Sequence, residues 1–219
     1  MADFTLYMVR HGQTYFNIYN KLQGWSNSPL TDKGIQNAVD TGNKLANIKF
    51  TAAYCSDTTR AMDTANMILA KNTVSDLDTP VVSKFFREEF YGYFEGTDMD
   101  QAWYLAGAPH GMPTFRSIVE QESIGKAKDL LKAADPFHDA EDNAEYWQRL
   151  DQGLALIKDN SEIHDGDNVL LVNHGNTLLS LVERFGNGQF DVTERPANGS
   201  ITKLHFHDDQ IEVTAFNVQ

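Results

Sequence analysis

Two short apolar runs in this chain, Thr5-Leu6-Tyr7-Met8-Val9 and Val169-Leu170-Leu171-Val172, each end at a histidine followed by glycine, in Arg10-His11-Gly12 and Asn173-His174-Gly175. Neither run alternates with polar residues, so neither offers a face to water. Such runs suit strands covered on both sides, which is the condition of a parallel sheet. Parallel strands need crossover connections, usually helices, and the chain supplies them. Thr31 is a good N-cap for a helix in which Ile35, Ala38, Val39, Gly42 and Leu45 return at helical spacing. Ala52-Ala53-Tyr54-Cys55 reads as a second strand, with Ser56 or Asp57 capping a helix through Ala61, Ala65, Ile68 and Leu69. Pro80-Val81-Val82-Ser83 reads as a third strand, entered by a proline as strand starts allow. The expected fold is α/β, a three-layer sandwich with a largely parallel sheet flanked by helices.

The remainder fits around that frame. Between about Gly96 and Asp142 the pattern loosens, broken by Gly107, Pro109, Gly111, Pro113 and Pro136, and a helical insertion at about 97–140 over the active-site edge is expected. Asp142-Asn143-Ala144-Glu145 has the form of a capping box opening a helix with Trp147, Leu150, Leu154 and Ile157 on one face. After Gly175 a helix runs through Leu178, Leu181 and Val182, and Ile201–Phe206 with Ile211–Phe216 forms a hairpin around Asp208-Asp209. At 219 residues, one domain spanning 1–219 is expected.

Composition narrows the partners. A formal charge of −13 disfavours nucleic acid or an anionic membrane, either of which needs a basic face. A small anion would need a local positive pocket set against the overall field. The single cysteine, Cys55, excludes an internal disulfide and any thiolate metal cluster, and packing is its plainest role. The stretch Met1-Ala2-Asp3-Phe4-Thr5 has no basic n-region leading into a long apolar segment, so a cytoplasmic protein is expected. No surface stands out from the sequence as an oligomer interface.

In open α/β sheets, ligands bind at the carboxyl ends of the strands. Arg10-His11 follows the first expected strand, Arg60 the second, Arg87-Glu88 the third and His174 the fourth, so two histidines, arginines and a carboxylate share one edge. Arg60 falls in a first helical turn, where the macrodipole disfavours a cation unless an anion is bound. The helix opening at Gly175 and Asn176 presents backbone N–H groups of the kind that bind phosphate. Each residue also has a plainer reading. His174 could be a hydrogen-bonded core residue, Arg60 a surface ion-pair partner, and Glu88 beside Glu89 a solvated face. His205 and His207 with Asp208 and Asp209 could suggest a metal site, but no third well-placed ligand accompanies them, and surface roles suit them better. Motifs for P-loop nucleotide hydrolysis, dinucleotide binding, zinc proteolysis and α/β-hydrolase chemistry are absent.

Five segments, in order, resemble the histidine phosphatase superfamily, also called the phosphoglycerate mutase-like family, over nearly the whole chain. They are Arg10-His11-Gly12 with Thr14 and Asn17; Gln23-Gly24-Trp25 through Pro29-Leu30-Thr31; Ser56-Asp57-Thr58-Thr59-Arg60-Ala61 with Thr64-Ala65; Phe86-Arg87-Glu88 with Tyr91-Gly92 and Glu95-Gly96; and Asn173-His174-Gly175. The resemblance implies a phosphoglycerate mutase-like fold and a phosphomonoesterase acting on a small phosphate ester through a phosphohistidine on His11. It further implies Glu88 as general acid and base, with Arg10, Arg60 and His174 holding the phosphoryl oxygens. Asn17 and the Gln23-Gly24 backbone would complete the cradle, with Thr14, Gly175 and Asn176 beside it, and no metal or cofactor is implied. The sequence departs from the mutase pattern where Glu89, not arginine, follows Glu88, and where the insertion offers Arg116, Lys126 and Lys128 rather than adjacent arginines. Hydrolysis is therefore expected over phosphoglycerate isomerisation, with a mutase or a non-catalytic phospho-ligand binder as alternatives. Trp103, Tyr104, His110 and Phe115 could shape a substrate pocket or simply pack the insertion.

Overall fold

The computed structural model describes residues 2–207 and 210–219. Among these, six strands and eight α-helices follow in chain order: β1 (Phe4–Arg10), α1 (Tyr15–Ile18), α2 (Asp32–Leu45), β2 (Ala52–Cys55), α3 (Thr59–Leu69), β3 (Val81–Val82), α4 (Met99–Gly107), α5 (Phe115–Gln121), α6 (Ile124–Ala134), α7 (Asn143–Lys158), β4 (Asp167–Asn173), α8 (Gly175–Phe185), β5 (Ile201–His207) and β6 (Gln210–Val218). The strands form one sheet in the order β3-β2-β4-β1-β5-β6. β3, β2, β4 and β1 run parallel, while β5 and β6 add antiparallel edges beyond β1. The expected α/β sandwich with a largely parallel sheet is thus the fold.

Both apolar runs sit at the sheet's centre for the reason their patterning gives. Leu6 and Met8 of β1 and Val169 and Leu171 of β4 face a core filled by Tyr146, Leu150 and Leu154 of α7 and Leu178 and Leu181 of α8. Val9, Leu170 and Val172 face the opposite layer, built from Leu45 of α2 and Ala61, Ala65 and Ile68 of α3. Each strand therefore buries successive residues on alternate faces, so no polar alternation is needed.

Several local expectations change. Thr31 caps α2, its hydroxyl accepting from Gly34 N at 3.0 Å, but Ile35 lies 42% exposed. The buried stripe of α2 is instead Gly34, Ala38, Thr41, Gly42 and Leu45. Small residues dominate it because the loop after β1 crosses there: a Cβ on Gly34 would stand 2.0 Å from Gln13 O, and one on Gly12 2.2 Å from Gly34 O. At α3 the N-cap is Thr58 rather than Ser56 or Asp57, and its side chain makes no capping bond. The capping box of α7 forms as expected, but Tyr146 takes the buried place assigned to Trp147, which is half-buried. β3 is only two residues long, and both valines are exposed. The hairpin strands form, while the Asp208-Asp209 turn lies outside the described residues.

Helices α4, α5 and α6 occupy the stretch expected to be helical between 97 and 140. They pack around Trp103, Met112, Ile118 and Leu131, and share that cluster with Leu22, Tyr91 and Phe94 from the segments beside the strand ends. Val119 and Ile124 meet Leu179 of α8. Among the described residues, no helix is long and apolar enough to cross a membrane.

Leu171→Ala, at the fully buried centre of β4, should lower unfolding free energy by about 2–5 kcal/mol in urea titration. Ile35→Ala on the exposed flank of α2 should stay within about 0.5 kcal/mol of the parent. Equal losses at the two positions would contradict this layering.

Candidate active site

The register of β1 against β4 aligns the two histidine loops. Arg10 pairs with Asn173, so His11 and His174 leave the sheet at the same level. His11 N donates to Asn173 O at 3.0 Å, and the two imidazoles lie 5.3 Å apart. His11 Nδ1 is 2.8 Å from Gly12 O. A carbonyl can only accept, so Nδ1 carries the proton and Nε2 keeps its lone pair. Gly12 is fixed in turn by the close approach of α2 and by a bond from its N–H to Thr64 Oγ1 at 3.0 Å. His174 Nε2 meets Ser56 Oγ at 2.8 Å. Burial holds both histidines well below the ordinary imidazole range, reinforced for each by the charge of Arg60 and, more weakly, of Arg10.

Arg60 is wholly buried in the first turn of α3. Its guanidinium donates to Ser26 O at 2.9 Å, to Gly24 O at 2.7 Å and to Gln23 O at 3.2 Å. Burial lowers its pKa to about 10, opposed by the carboxylates of Glu88 and Glu95. The turn that holds it is organised by Glu95, which accepts from the N–H groups of Gly24, Trp25, Ser26 and Tyr91. Arg10 donates to Pro196 O and rests against Gly175, where a Cβ would come 3.3 Å from its Nε. Burial and the nearby Arg195 bring Arg10 down to about 10 as well.

Glu88 and Glu89 are both buried, against the solvated face that adjacent glutamates suggest. Glu88 Oε2 accepts from Asn176 N at 2.7 Å, and Oε1 from Glu89 N at 3.0 Å and Thr177 Oγ1 at 3.1 Å. The N-terminus of α8, expected to face a phosphate, thus gives one of its N–H groups to this carboxylate. The loop itself is stitched by Arg149, which donates to the carbonyls of Phe85, Arg87 and Glu88 while its fork grips Glu141. Glu89 turns the other way and accepts from Asn176 Nδ2 at 3.1 Å. Burial pushes its carboxyl up to about 8, against the pull of Lys128. Arg87 points away from the histidines, pairing with Asp57 and lying 4.5 Å over Trp25.

Seven of the residues singled out from sequence line one cleft: Arg10, His11, Asn17, Gln23, Glu88, Gly175 and Asn176. Arg60 and His174 lie behind it in the buried layer. Thr14 and Gly24 do not line it. Thr14 caps α1 and donates to Gln23 Oε1 at 2.7 Å, whereas Gly24 gives its N–H to Glu95 and has no room for a Cβ, which would meet Glu89 O at 2.1 Å. The Gln23-Gly24 backbone therefore holds Arg60 rather than facing the cleft. Sequence reasoning missed Lys21, Tyr91 and Arg195 as lining residues. Tyr91 was named within the fourth recognised segment but given no role, Lys21 sits between the first two segments and was open to notice, and the proline-flanked Arg195 carries no periodic signal. From the insertion, Arg116 pairs with Glu120 and Glu194 at the surface, Lys126 and His110 are exposed, and Lys128 is buried against Ser180, so none reaches the cleft. Among the described residues, no three His, Cys, Asp or Glu side chains converge as metal ligands, and His205 and His207 lie near Asp3 and Glu212 respectively.

The cleft has a volume of about 20 Å³, which is on the scale of one water-sized group. Several atoms around it lack a hydrogen-bond partner among the described residues: Arg10 Nε, Arg60 Nε, Gln23 Nε2, Arg195 Nη2 and His174 Nδ1. Most can only donate. Such a ring suits a small group rich in acceptor oxygens.

Comparison with known proteins agrees with this geometry. The profile of the Histidine phosphatase superfamily (branch 1) matches residues 6–124 and 106–219. The chain belongs to that superfamily. It is 38% identical over 209 residues to a 2,3-bisphosphoglycerate-dependent phosphoglycerate mutase of Bartonella tribocorum, covering 94% of this chain and 93% of the relative. It is 36% identical over 138 residues to a fructose-2,6-bisphosphatase of Xenopus tropicalis, covering 60% of this chain and 50% of that protein. A crystal structure of phosphoglycerate mutase from Bacillus anthracis superimposes with a TM-score of 0.89 at 33% identity, covering 99% of this chain and 94% of the other. Relatives in this superfamily include both mutases and phosphatases, so an enzyme of that broad kind is indicated.

The two buried imidazoles give a pH prediction. In the free protein at pH 6, ¹⁵N imidazole spectra should show His11 and His174 neutral, with the His11 proton on Nδ1. Because their folded pKa values lie below the unfolded value of 6.5, they contribute stability that is present above about pH 6.5 and lost as pH falls toward the folded values. An imidazolium signature from either ring at pH 6 would contradict the assignment.

Proposed function

We propose that the chain is a phosphomonoesterase acting on a small phosphate ester through a phosphohistidine on His11. The observation that carries this reading is the Nδ1 bond of His11 to Gly12 O, which leaves Nε2 as a neutral nucleophile in a cleft ringed by donors. Nε2 attacks phosphorus in line, forming a P–N bond as the ester P–O bond breaks. Glu88, fixed by Asn176 N and Thr177 Oγ1, takes up the proton that a monoanionic phosphate ester carries in and passes it to the leaving oxygen. The resulting carboxylate then takes a proton from the water that attacks phosphorus and breaks the P–N bond. Arg10, Arg60 and His174 stabilise the charge on the transferring oxygens, with Asn17, Gln23 and the Gly175-Asn176 turn beside them. Thr14 and Gly24 act on this machinery through Gln23 and Arg60.

Hydrolysis is favoured over isomerisation by the insertion. A mutase must retain the dephosphorylated intermediate until it is rephosphorylated, and no cation from 97–140 lines the cleft. A mutase is the second reading, supported by the named activities of the full-length relatives. Cytoplasmic location and an insertion that shapes the substrate entrance belong to the same proposal.

The expected result is turnover of an aryl phosphate that survives chelator and falls about a thousandfold or more in His11→Ala. Glu88→Gln should cost more on an alkyl phosphate than on the aryl one, whose leaving group needs little protonation. Acid quench should trap one phosphohistidine per chain. Retained activity in His11→Ala would end the nucleophile assignment. Interconversion of phosphoglycerates after priming with a bisphosphate, faster than phosphate release, would favour the mutase.

A further inference from the structure

Glu89 is wholly buried beside Glu88 and has no place in the steps assigned to its neighbour. Burying a carboxyl costs free energy that an apolar side chain in the same space would not. Among the described residues its side chain makes one hydrogen bond, Oε2 accepting from Asn176 Nδ2 at 3.1 Å, while Oε1 has no partner. Lys128 pulls on the carboxyl from α6, yet its own Nζ donates to Ser180 Oγ at 2.9 Å. The directed contact of Glu89 is therefore with Asn176.

Asn176 stands in the first turn of α8 and lines the cleft. Its backbone N–H makes the shortest of the three bonds that hold the carboxyl of Glu88, at 2.7 Å against 3.0 Å from Glu89 N and 3.1 Å from Thr177 Oγ1. His174, the N-cap of α8, gives this turn no side-chain bond, so the aim of that N–H depends on what holds Asn176. Two acceptors share its Nδ2, Glu89 Oε2 and the hydroxyl of Tyr91, each at 3.1 Å. Tyr91 also lines the cleft, where a bound ester can claim its hydroxyl, whereas Glu89 does not. Glu89 is thus the acceptor that stays in place when the cleft is filled.

Neutralising Lys128 would need only the charge of Glu89. Burial pushes this carboxyl up to about 8, so near neutral pH it is largely protonated, and one oxygen still accepts from Asn176 in either state. The bond persists where the charge does not.

We infer that Glu89 is a positioning residue for the general acid: by holding the side chain of Asn176 it fixes that residue's backbone N–H on Glu88, and so aims Glu88 at the leaving oxygen. This role rests on the phosphomonoesterase reading for its chemistry, but the grip on Asn176 can be measured without turnover.

In a double displacement kcat/KM covers the steps through P–O cleavage, which separates the acid role of Glu88 from its later role as base. In Glu89→Met, kcat/KM should fall at least about tenfold on propyl phosphate but less than about threefold on p-nitrophenyl phosphate, whose leaving group needs little protonation. Glu89→Gln removes the charge and keeps the acceptor, so it should stay within about threefold of wild type on both esters. Circular dichroism checks folding. Should Glu89→Met unfold, Glu89→Met combined with Lys128→Met takes its place, since it leaves no unpaired cation behind. The ¹H–¹⁵N signal of the Asn176 backbone amide supplies the second readout. It should lie downfield in wild type and Glu89→Gln, as a short bond to a carboxylate implies, and move upfield in Glu89→Met. Equal losses on the two esters, no loss on either, a Glu89→Gln variant as impaired as Glu89→Met, or an amide signal that does not move in Glu89→Met would each overturn the positioning role. An amide signal that moves as expected in a protein that releases phosphate from neither ester would support the grip on Asn176 while removing the phosphomonoesterase reading.

Discussion

Arg60 places a full positive charge where no water reaches it, and much of the site is arranged to make that tolerable. Burying an unpaired guanidinium is expensive, and the chain offsets the cost with backbone carbonyls rather than with a single carboxylate partner. The carbonyls of Gln23, Gly24 and Ser26 converge on it. They can do so because Glu95 gathers the N–H groups of Gly24, Trp25 and Ser26 from the other side of the same turn. The turn is then locked against the acid loop, where Trp25 Nε1 donates to Glu88 O at 3.1 Å. One buried cation thus links the second strand end, the 23–26 turn and the position of the carboxylate. Its field, added to burial, is also what keeps both imidazoles uncharged.

The atoms left over from this arrangement are as informative as those that are paired. Buried donors normally find acceptors, because each orphan costs on the order of 1–3 kcal/mol. Orphans gathered around one cleft from Arg10, Arg60, Gln23 and Arg195 are a local departure from that rule, of the kind folds keep where a ligand completes the bonding. The stability to carry them comes from the central strands, whose side chains in β1 and β4 are covered on both faces.

How much of this was legible in the sequence follows from how each residue acts. His11, Arg60, Glu88 and His174 are side chains at strand ends or first helical turns, and parallel topology brings such positions together whatever the loops do. Residues that work through backbone groups left no such trace. Arg149 lies on the face of α7 that carries Tyr146, Leu150 and Gly153, so a charge at helical spacing among buried positions was a signal open to notice. Glu95 and Gly24 were marked only by the family resemblance, since the roles they play depend on two turns meeting across 71 residues. Glu88 and Glu89 look like a solvated pair because sequence does not reveal that α8 gives its first turn to one while α6 brings Lys128 toward the other. The helix cap shifted for a simpler reason: Ser56 and Asp57 were suitable types, but α3 starts at Thr59, which puts Thr58 at the N-cap.

Lys128 sharpens the part played by the inserted helices. It leaves α6 for the interior, donates to Ser180 Oγ at 2.9 Å on α8, and lies 4.5 Å over the ring of Tyr146 on α7. Burial lowers its pKa as it raises that of Glu89, and each group's charge opposes the other's shift. What joins Glu89 to the cleft is Asn176, whose side chain serves Glu89 while its backbone N–H serves Glu88. An overall charge of −13 would repel an anionic substrate if it acted uniformly. It does not, because exposed charges are screened over roughly 8 Å at physiological salt whereas buried ones are screened far less. The cations that matter for an anion lie at or beneath the cleft, and the acidic excess that lies on the outer surface is largely screened from it. Surface charge thus bears mainly on solubility and on which macromolecules are turned away, while the cleft itself presents a handful of desolvated donors.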